Sequence, residues 1–240
     1  MRFLVTFWYW LVFCPTIVFG WFLAVPLWLA TMPFDPAGKA LHLFVNFWVF
    51  QYLKIWPGWR VKVLHRERIP QGPCVFVVNH QSMADVVAVM GLRTQYKFVS
   101  KDSLFSLPIV GWTMKMLKYI KVERGKPHSM HNMVEECRFW IRKGVPVLIF
   151  PEGTYASDPK KLLPFKRGAF MVAIEEKVPL VPVFLRGTTE LIHEDGPWMS
   201  PLARITVEVQ EAIVPLPDET DDALASRSRR LFAEALGKEL

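Results

Sequence analysis

The fold is decided by the stretch at residues 75–85, which reads VFVVNHQSMAD. Its first four residues are apolar and mostly β-branched, which predicts a buried strand. Polar residues then form a turn, in which Ser82 can cap a helix that begins before Asp85. A strand followed by a short turn and a helix is typical of α/β proteins, so the stretch predicts that class.

Similar patterns continue along the chain after Pro57. Seven short runs are rich in β-branched residues and bounded by turn formers, which is typical of strands. Periodic apolar residues between these runs predict helices. We therefore expect an α/β fold with a mixed, mostly parallel sheet flanked by helices. The predicted strands are 61–64, 74–78, 96–100, 119–122, 145–150, 180–185 and 205–210, and the predicted helices are 85–92, 107–117, 129–143, 167–177 and 221–236.

His80 and Asp85 lie five residues apart at the carboxyl end of the first buried strand, where α/β proteins keep their sites. Imidazole can take a proton from an alcohol near neutral pH, and a carboxylate can fix its tautomer and stabilise the imidazolium. The pair therefore predicts a general base, His80, that is oriented by Asp85. The alternative is that both side chains only satisfy the backbone of the turn.

Residues 150–154, FPEGT, form a second turn after an apolar run. Pro and Gly restrict the backbone there, so the carboxylate of Glu152 has a fixed position. A base, an orienting carboxylate and a rigid acidic turn together favour acyl transfer onto a hydroxyl group.

The front of the chain is apolar. No charged residue occurs from Phe3 to Thr31, and a second apolar run extends from Leu41 to Trp56. As a helix, the first run would measure about 43 Å, enough to cross the ~30 Å hydrocarbon core with tilt, whereas the second, at about 24 Å, is short for a span. Pro15 and Pro26 predict that the first run is interrupted. These runs predict contact with membrane lipids.

We expect residues 1–56 to form an N-terminal membrane-associated helical hairpin and residues 57–240 to form the α/β domain. Basic residues flank the hairpin at Arg2 and again from Arg60 to Arg68. The positive-inside tendency therefore predicts that both ends, and the α/β domain, lie on the cytoplasmic side. Both a membrane span and a position within one leaflet fit these lengths. A secretory signal peptide fits poorly, because the apolar run exceeds the usual h-region of about 7–15 residues.

The net charge of the chain is +7, of which +5 falls after Pro57. A basic domain beside a membrane suits anionic headgroups and anionic substrates. The sequence contains no recognisable nucleic-acid-binding module, so nucleic acid is not an expected partner. No metal site or resident cofactor is predicted.

Four blocks in order resemble one family, the 1-acyl-glycerol-3-phosphate (lysophosphatidate) acyltransferases among the glycerolipid acyltransferases. They are NHQSMAD at 79–85, YIKVER at 119–124, FPEGT at 150–154 and VPLVPV at 178–183. The resemblance implies a membrane-bound O-acyltransferase. Such an enzyme moves a fatty acyl group from acyl-CoA or acyl carrier protein to the free hydroxyl of 1-acyl-glycerol-3-phosphate, a lysophospholipid, giving phosphatidic acid.

The resemblance also implies residue roles. His80 is similar to the family's general base and Asp85 to its orienting acid. The remaining positions are implied in substrate binding, with Arg124 expected at the acceptor phosphate, since a guanidinium can meet two phosphate oxygens. These substrate-binding positions are Asn79, Arg124, Glu152, Gly153, Thr154, Lys166 and Arg167.

Two positions depart from the family pattern. Tyr155 stands where the family commonly has Arg after FPEGT, and Lys118 stands where many members have Gly. The loss of a phosphate-pairing cation leaves open an acyltransferase or transacylase that acts on another lysolipid, either in lysophospholipid remodelling or derived from an amino acid. A catalytically silent membrane scaffold is the non-enzyme alternative. A lipid hydrolase is disfavoured because the sequence has no Gly-x-Ser-x-Gly elbow.

Overall fold

The computed structural model describes residues 1–123, 127–155, 158, 160–192 and 198–240. Seven strands form one sheet in the order β1-β7-β6-β2-β5-β3-β4. All neighbouring pairs are parallel except β6 and β7, so the predicted mixed, mostly parallel sheet is confirmed. The strands are β1 Trp59–Leu64, β2 Val75–Val78, β3 Lys97–Lys101, β4 Ile120–Val122, β5 Val147–Ile149, β6 Leu180–Arg186 and β7 Ala203–Val209.

Helices cover both faces of the sheet. One core cluster joins the sheet to the first four helices through residues such as Leu41, Ala88 and Met114. The other joins it to the last three through residues such as Trp140 and Phe232. The helices are α1 Arg2–Thr31, α2 Lys39–Phe50, α3 Ala84–Val89, α4 Val110–Met116, α5 Pro127–Arg142, α6 Gly168–Glu175 and α7 Asp221–Leu236.

Helix α1 runs without a break through Pro15 and Pro26, so the expected interruption is wrong. Pro15 removes the backbone donor to the carbonyl of Leu11, which is a single hydrogen bond of the helix, and the helix continues around it. Thr16 adds a side-chain bond nearby, since its Oγ1 donates to the carbonyl of Val12 at 2.6 Å. With 30 residues and few buried side chains, α1 is long and apolar enough to cross a membrane by length and composition.

Helix α2 is locked into the fold by polar side chains. His42 and Asn46 are buried, and both contact the carbonyl of Thr94, His42 through Nε2 at 3.1 Å and Asn46 through Nδ2 at 3.2 Å. Tyr119 Oη lies 3.2 Å from Nδ1 of His42. Because these contacts reach the region around β3 and β4, α2 is fixed to the sheet as well as to α1.

Candidate active site

The turn after β2 is pinned to a neighbouring strand by Asn79. Its Nδ2 donates to the carbonyl of Leu185 at 2.9 Å, and the Leu185 N–H donates to its Oδ1 at 2.8 Å. Asn79 is fully buried, so its amide satisfies backbone groups of β6 that a turn would otherwise leave without partners. This contact fixes the position from which His80 leaves the sheet.

Asp85 organises the rest of the turn. Its Oδ2 accepts from Nδ1 of His80 at 2.8 Å and from the backbone N–H groups of Gln81 and Ser82 at 2.5 and 2.8 Å. The carboxylate is fully buried. Since Nδ1 carries the proton that Asp85 accepts, Nε2 is left as the nitrogen that can take a proton from a substrate. Ser82 Oγ accepts from the N–H of Ala84 at 3.3 Å, but the N-cap residue of α3 is Met83, so the expected cap at Ser82 is wrong.

Aromatic rings hold the imidazole in place. The ring of Phe150 stacks on His80 with a centroid distance of 4.2 Å and an interplanar angle of 15°. Tyr155 stands edge-on, at 5.6 Å and 88°. Both aromatic residues belong to the turn after β5, so this turn contacts His80 directly.

Glu152 contacts the backbone of His80. Its Oε1 accepts from the His80 N–H at 2.7 Å, and its Oε2 accepts from the N–H of Leu163 at 3.2 Å. Burial raises the pKa of this carboxyl group, while the two backbone hydrogen bonds and the charge of Lys238 oppose that rise. The carboxylate therefore joins three segments of chain behind the imidazole.

The loop that contains Leu163, whose N–H donates to Glu152, is itself held by residues near the C-terminal end of the sequence. Arg229 donates to the carbonyls of Leu162 at 2.6 Å and Leu163 at 3.2 Å. The N–H of Glu239 donates to the carbonyl of Lys160 at 3.0 Å, and the N–H of Leu162 donates to the carbonyl of Glu239 at 3.0 Å. A connected set of hydrogen bonds thus runs from α7 through this loop and Glu152 to His80.

His80 faces a cavity of about 330 Å³ at the carboxyl ends of β2, β5 and β3. Much of its wall is apolar, with Phe98 and Ile149 from strands and Met133 from α5. Its polar lining includes two lysines, Lys101 and Lys166. An apolar chain and an anionic group could both be accommodated by such a lining.

Gly153 allows Lys166 to reach the cavity. This glycine has a φ of +70°, which L side chains rarely adopt, and a Cβ there would lie 2.6 Å from Nζ of Lys166. A side chain at position 153 would therefore both strain the turn and push the ammonium group away.

The predicted site residues fall into distinct groups. His80, Gly153 and Lys166 line the cavity. Asp85, Glu152 and Asn79 lie behind its wall, where their side chains hold the two turns in place. Thr154 is exposed and outside the described lining. Arg167 also lies outside that lining, and its Nε is 2.7 Å from Oδ2 of Asp221. Arg124 lies outside the described residues.

Sequence reasoning missed Lys101, which lies at the end of β3 and lines the cavity. Its place at the end of β3, the strand next to β5, was an available signal. Tyr155 was singled out as a departure from a pattern, but its edge contact with His80 depends on how two distant turns meet.

A model of the acyltransferase family matches residues 60–186. The chain belongs to this family. It is 34% identical to a 1-acyl-sn-glycerol-3-phosphate acyltransferase of Chlamydomonas reinhardtii, over 92% of this chain and 69% of that protein. It is 32% identical to a chloroplastic 1-acyl-sn-glycerol-3-phosphate acyltransferase of Brassica napus, over 85% of this chain and 58% of that one. The expected family is confirmed, and so is the class of O-acyltransferase at family level.

The fold is also that of a solved structure. The crystal structure of the 1-acyl-sn-glycerophosphate acyltransferase PlsC from Thermotoga maritima matches with a TM-score of 0.80, covering 100% of this chain and 99% of that one. At 22% identity this likeness concerns the fold alone. The present chain spans 58% and 69% of the length of the two relatives above, so its own substrates are a separate question.

Proposed function

We propose that this protein transfers a fatty acyl group from a thioester donor, acyl-CoA or acyl carrier protein, to the free hydroxyl of 1-acyl-glycerol-3-phosphate. The product is phosphatidic acid. The observation that carries the proposal is the His80–Asp85 pair, with 2.8 Å between Nδ1 and Oδ2, on the wall of a largely apolar cavity that also contains two lysines. Membership of the acyltransferase family supports the reaction type.

In the proposed mechanism, Nε2 of His80 removes the proton of the acceptor hydroxyl as its oxygen attacks the thioester carbonyl carbon. The tetrahedral intermediate collapses with cleavage of the C–S bond. The departing thiolate takes the proton from Nε2, which restores neutral imidazole. Asp85 keeps the proton on Nδ1 throughout and stabilises the transient imidazolium. In this mechanism His80 and Asp85 suffice for direct transfer, without an acyl-enzyme intermediate.

Lys101 and Lys166 are proposed to bind the phosphate of the acceptor. Both line the cavity that His80 faces, and an ammonium group is an effective point charge for a phosphate. Arg124 is proposed to add to this site on the strength of the family resemblance. Gly153 and the backbone around it are proposed to shape the acceptor side of the cavity. Thr154, exposed beside it, is proposed to contact the acceptor on the strength of the family resemblance.

Helix α1 is proposed to attach the enzyme to the membrane that supplies its lipids, with the α/β domain on the cytoplasmic side. Its large apolar side chains are widely exposed, including Phe3, Phe7, Phe19 and Phe22. Contact of such a surface with a bilayer is favourable, because it removes apolar area from water.

The proposal is tested with purified protein, labelled acyl-CoA or acyl carrier protein, and a panel of lysolipids. We expect His80→Ala to lower kcat by about 10³- to 10⁴-fold while circular dichroism and Tm stay close to wild type, because the ring contributes proton transfer. Full activity in a folded His80→Ala protein would contradict the mechanism. Absence of transfer by the wild-type protein from either donor would favour the scaffold alternative.

A second acceptor class is favoured by one observation, the neutral Tyr155 beside His80. If the acceptor lacks a phosphate monoester, lysolipids with other headgroups will be acylated as well as lysophosphatidate in the same panel. Preference for lysophosphatidate, lost in Lys101→Met and Lys166→Met, would support the first proposal. Uniform activity across headgroups would support a remodelling enzyme or a transacylase.

A further inference from the structure

A second cavity lies at the amino ends of the strands, opposite the carboxyl ends where His80 lies. It has a volume of about 490 Å³ and is lined by residues that lie one to three positions before three neighbouring strands. Gly72 precedes β2, Gln95 precedes β3 and Pro146 precedes β5. Because His80 follows the carboxyl end of β2, this cavity, hereafter the amino-end cavity, is separated from the candidate active site by the length of the strands.

The amino-end cavity is basic. Lys39, Arg66 and Arg93 line it, and none of its described lining residues is acidic. Within the described part of the chain, none of these three cations forms an ion pair. Arg138, by contrast, forms an ion pair with Glu176. The positive charge that lines the amino-end cavity is therefore left uncompensated.

The geometry holds one of these cations in place. Nε of Arg66 donates to the carbonyl of Gly91 at 2.8 Å, which leaves its terminal nitrogens available to a ligand. The pKa of Arg66 is lowered, first by burial and then by the neighbouring charge of Arg93. Two guanidinium groups that repel one another are stabilised together by an anion placed between them.

The cavity adjoins the connector between α1 and α2. Gln95, a lining residue, donates from Nε2 to the carbonyl of Ala37 at 3.0 Å. Three residues earlier, Phe34 is 88% exposed, and Met32 is also exposed. A basic cavity next to protruding apolar side chains is complementary to an anionic lipid headgroup with its acyl chains alongside.

We propose that the amino-end cavity binds a phosphate group through Lys39, Arg66 and Arg93, apart from the acyl-transfer site. The phosphate group could be supplied by an anionic phospholipid headgroup or by free phosphate, and both would meet the same guanidinium and ammonium donors. When a headgroup supplies it, the site holds the tip of the N-terminal hairpin at an anionic membrane surface.

The first arm of the test titrates inorganic phosphate into the full-length protein in neutral detergent and follows the backbone amide signals of Gly72 and Gly144 by NMR. Both glycines line the cavity. We expect saturable shifts with phosphate and none with chloride at equal ionic strength. The double variant R66Q/R93Q should lose at least tenfold in affinity, and R93Q alone, which keeps the Arg66–Gly91 contact, should lose part of it.

The matched control is R204Q/R230Q, which removes two exposed arginines that form no ion pair with a described residue. It should bind phosphate like the wild type. Two outcomes would overturn the proposal: no saturable shift in the wild-type protein, or an equal loss of affinity in the control.

The second arm measures binding to phosphatidylcholine vesicles with and without phosphatidylglycerol. If a headgroup occupies the cavity, R66Q/R93Q should bind the anionic vesicles about 20-fold more weakly than R204Q/R230Q, since each basic residue at the surface contributes several-fold. Neutral vesicles should bind both variants alike. Equal binding of both variants to anionic vesicles, together with a positive first arm, would assign the site to free phosphate.

Discussion

Two turns hold His80, and each holds a different part of it. The turn after β2 carries Asp85, whose carboxylate bonds the imidazole. The turn after β5 carries Glu152, whose carboxylate bonds the backbone N–H of the same residue. Both carboxylates are buried. The contact with Asp85 fixes which ring nitrogen carries the proton, whereas the contact with Glu152 fixes the backbone position of His80. Neutralising one carboxylate should therefore have a different effect from neutralising the other.

Among variants of the two carboxylates and their supports, the largest effect on kcat is expected from Asp85→Asn. The amide can donate to Nδ1, which favours the wrong tautomer and no longer stabilises the imidazolium. We expect kcat to fall about 10³-fold with little change in KM for the acceptor. The measurement is steady-state transfer from labelled donor, with Tm as the check on folding. A variant with kcat within a few-fold of wild type would show that Asp85 only supports the turn.

Glu152→Ala should have a smaller effect on chemistry and a larger effect on folding. It leaves the N–H groups of the buried His80 and the half-buried Leu163 without their acceptor, which costs about 2–4 kcal/mol. Glu152→Gln keeps one oxygen acceptor, so it should recover most of the stability and reduce kcat about tenfold at unchanged KM. If the Gln variant instead raised KM and left kcat unchanged, Glu152 would bind the acceptor rather than position His80.

Arg229→Met tests the support behind the second turn. The methionine keeps much of the packing but removes the bonds to the carbonyls of Leu162 and Leu163. We expect kcat to fall two- to fivefold, with a decrease in Tm of a few degrees. Arg230→Met, at the exposed neighbouring position, is the control and should change neither. If the two variants had the same kcat and Tm, the contacts of Arg229 would not support the site.

The smallest effect concerns pH. Burial raises the pKa of Glu152, so above the ordinary glutamate value the native protein keeps a proton that the unfolded chain has released. The free energy of unfolding should therefore fall as pH rises through the window between the two pKa values. Denaturation in detergent at several pH values should give a flatter profile for Glu152→Gln. A parallel profile would mean that another group titrates there.

The secondary structure could be predicted because it depends on local patterns. All seven strands and the last helix, with its stop at Gly237, follow from runs of apolar or periodic residues. The continuity of α1 was not predicted, because each proline removes only one backbone hydrogen bond and the helix continues around it. Propensity alone overstates a break at proline in a long apolar helix.

Within the site, the His80–Asp85 contact was predictable because both residues belong to one turn. The partners of Asn79 and Glu152 were not, because Leu185 and His80 lie 106 and 72 residues away along the chain. The motif identified these two residues as important but suggested substrate contact. The folded chain uses their side chains to satisfy backbone groups, a role that only the tertiary arrangement specifies.

The polar anchoring of α2 constrains how the protein can be made. His42 and Asn46 find their partner, Thr94, about fifty residues later in the chain, so α2 leaves the ribosome well before its contacts exist. With α1 attached to a membrane as proposed, α1 can enter the bilayer as soon as it emerges during synthesis. α2 can complete its contacts only after the strand beginning at Lys97 is translated. If α2 were inserted fully into lipid, the polar side chains of His42 and Asn46 would lie in hydrocarbon without their partners. One face of the sheet would also lose its cover.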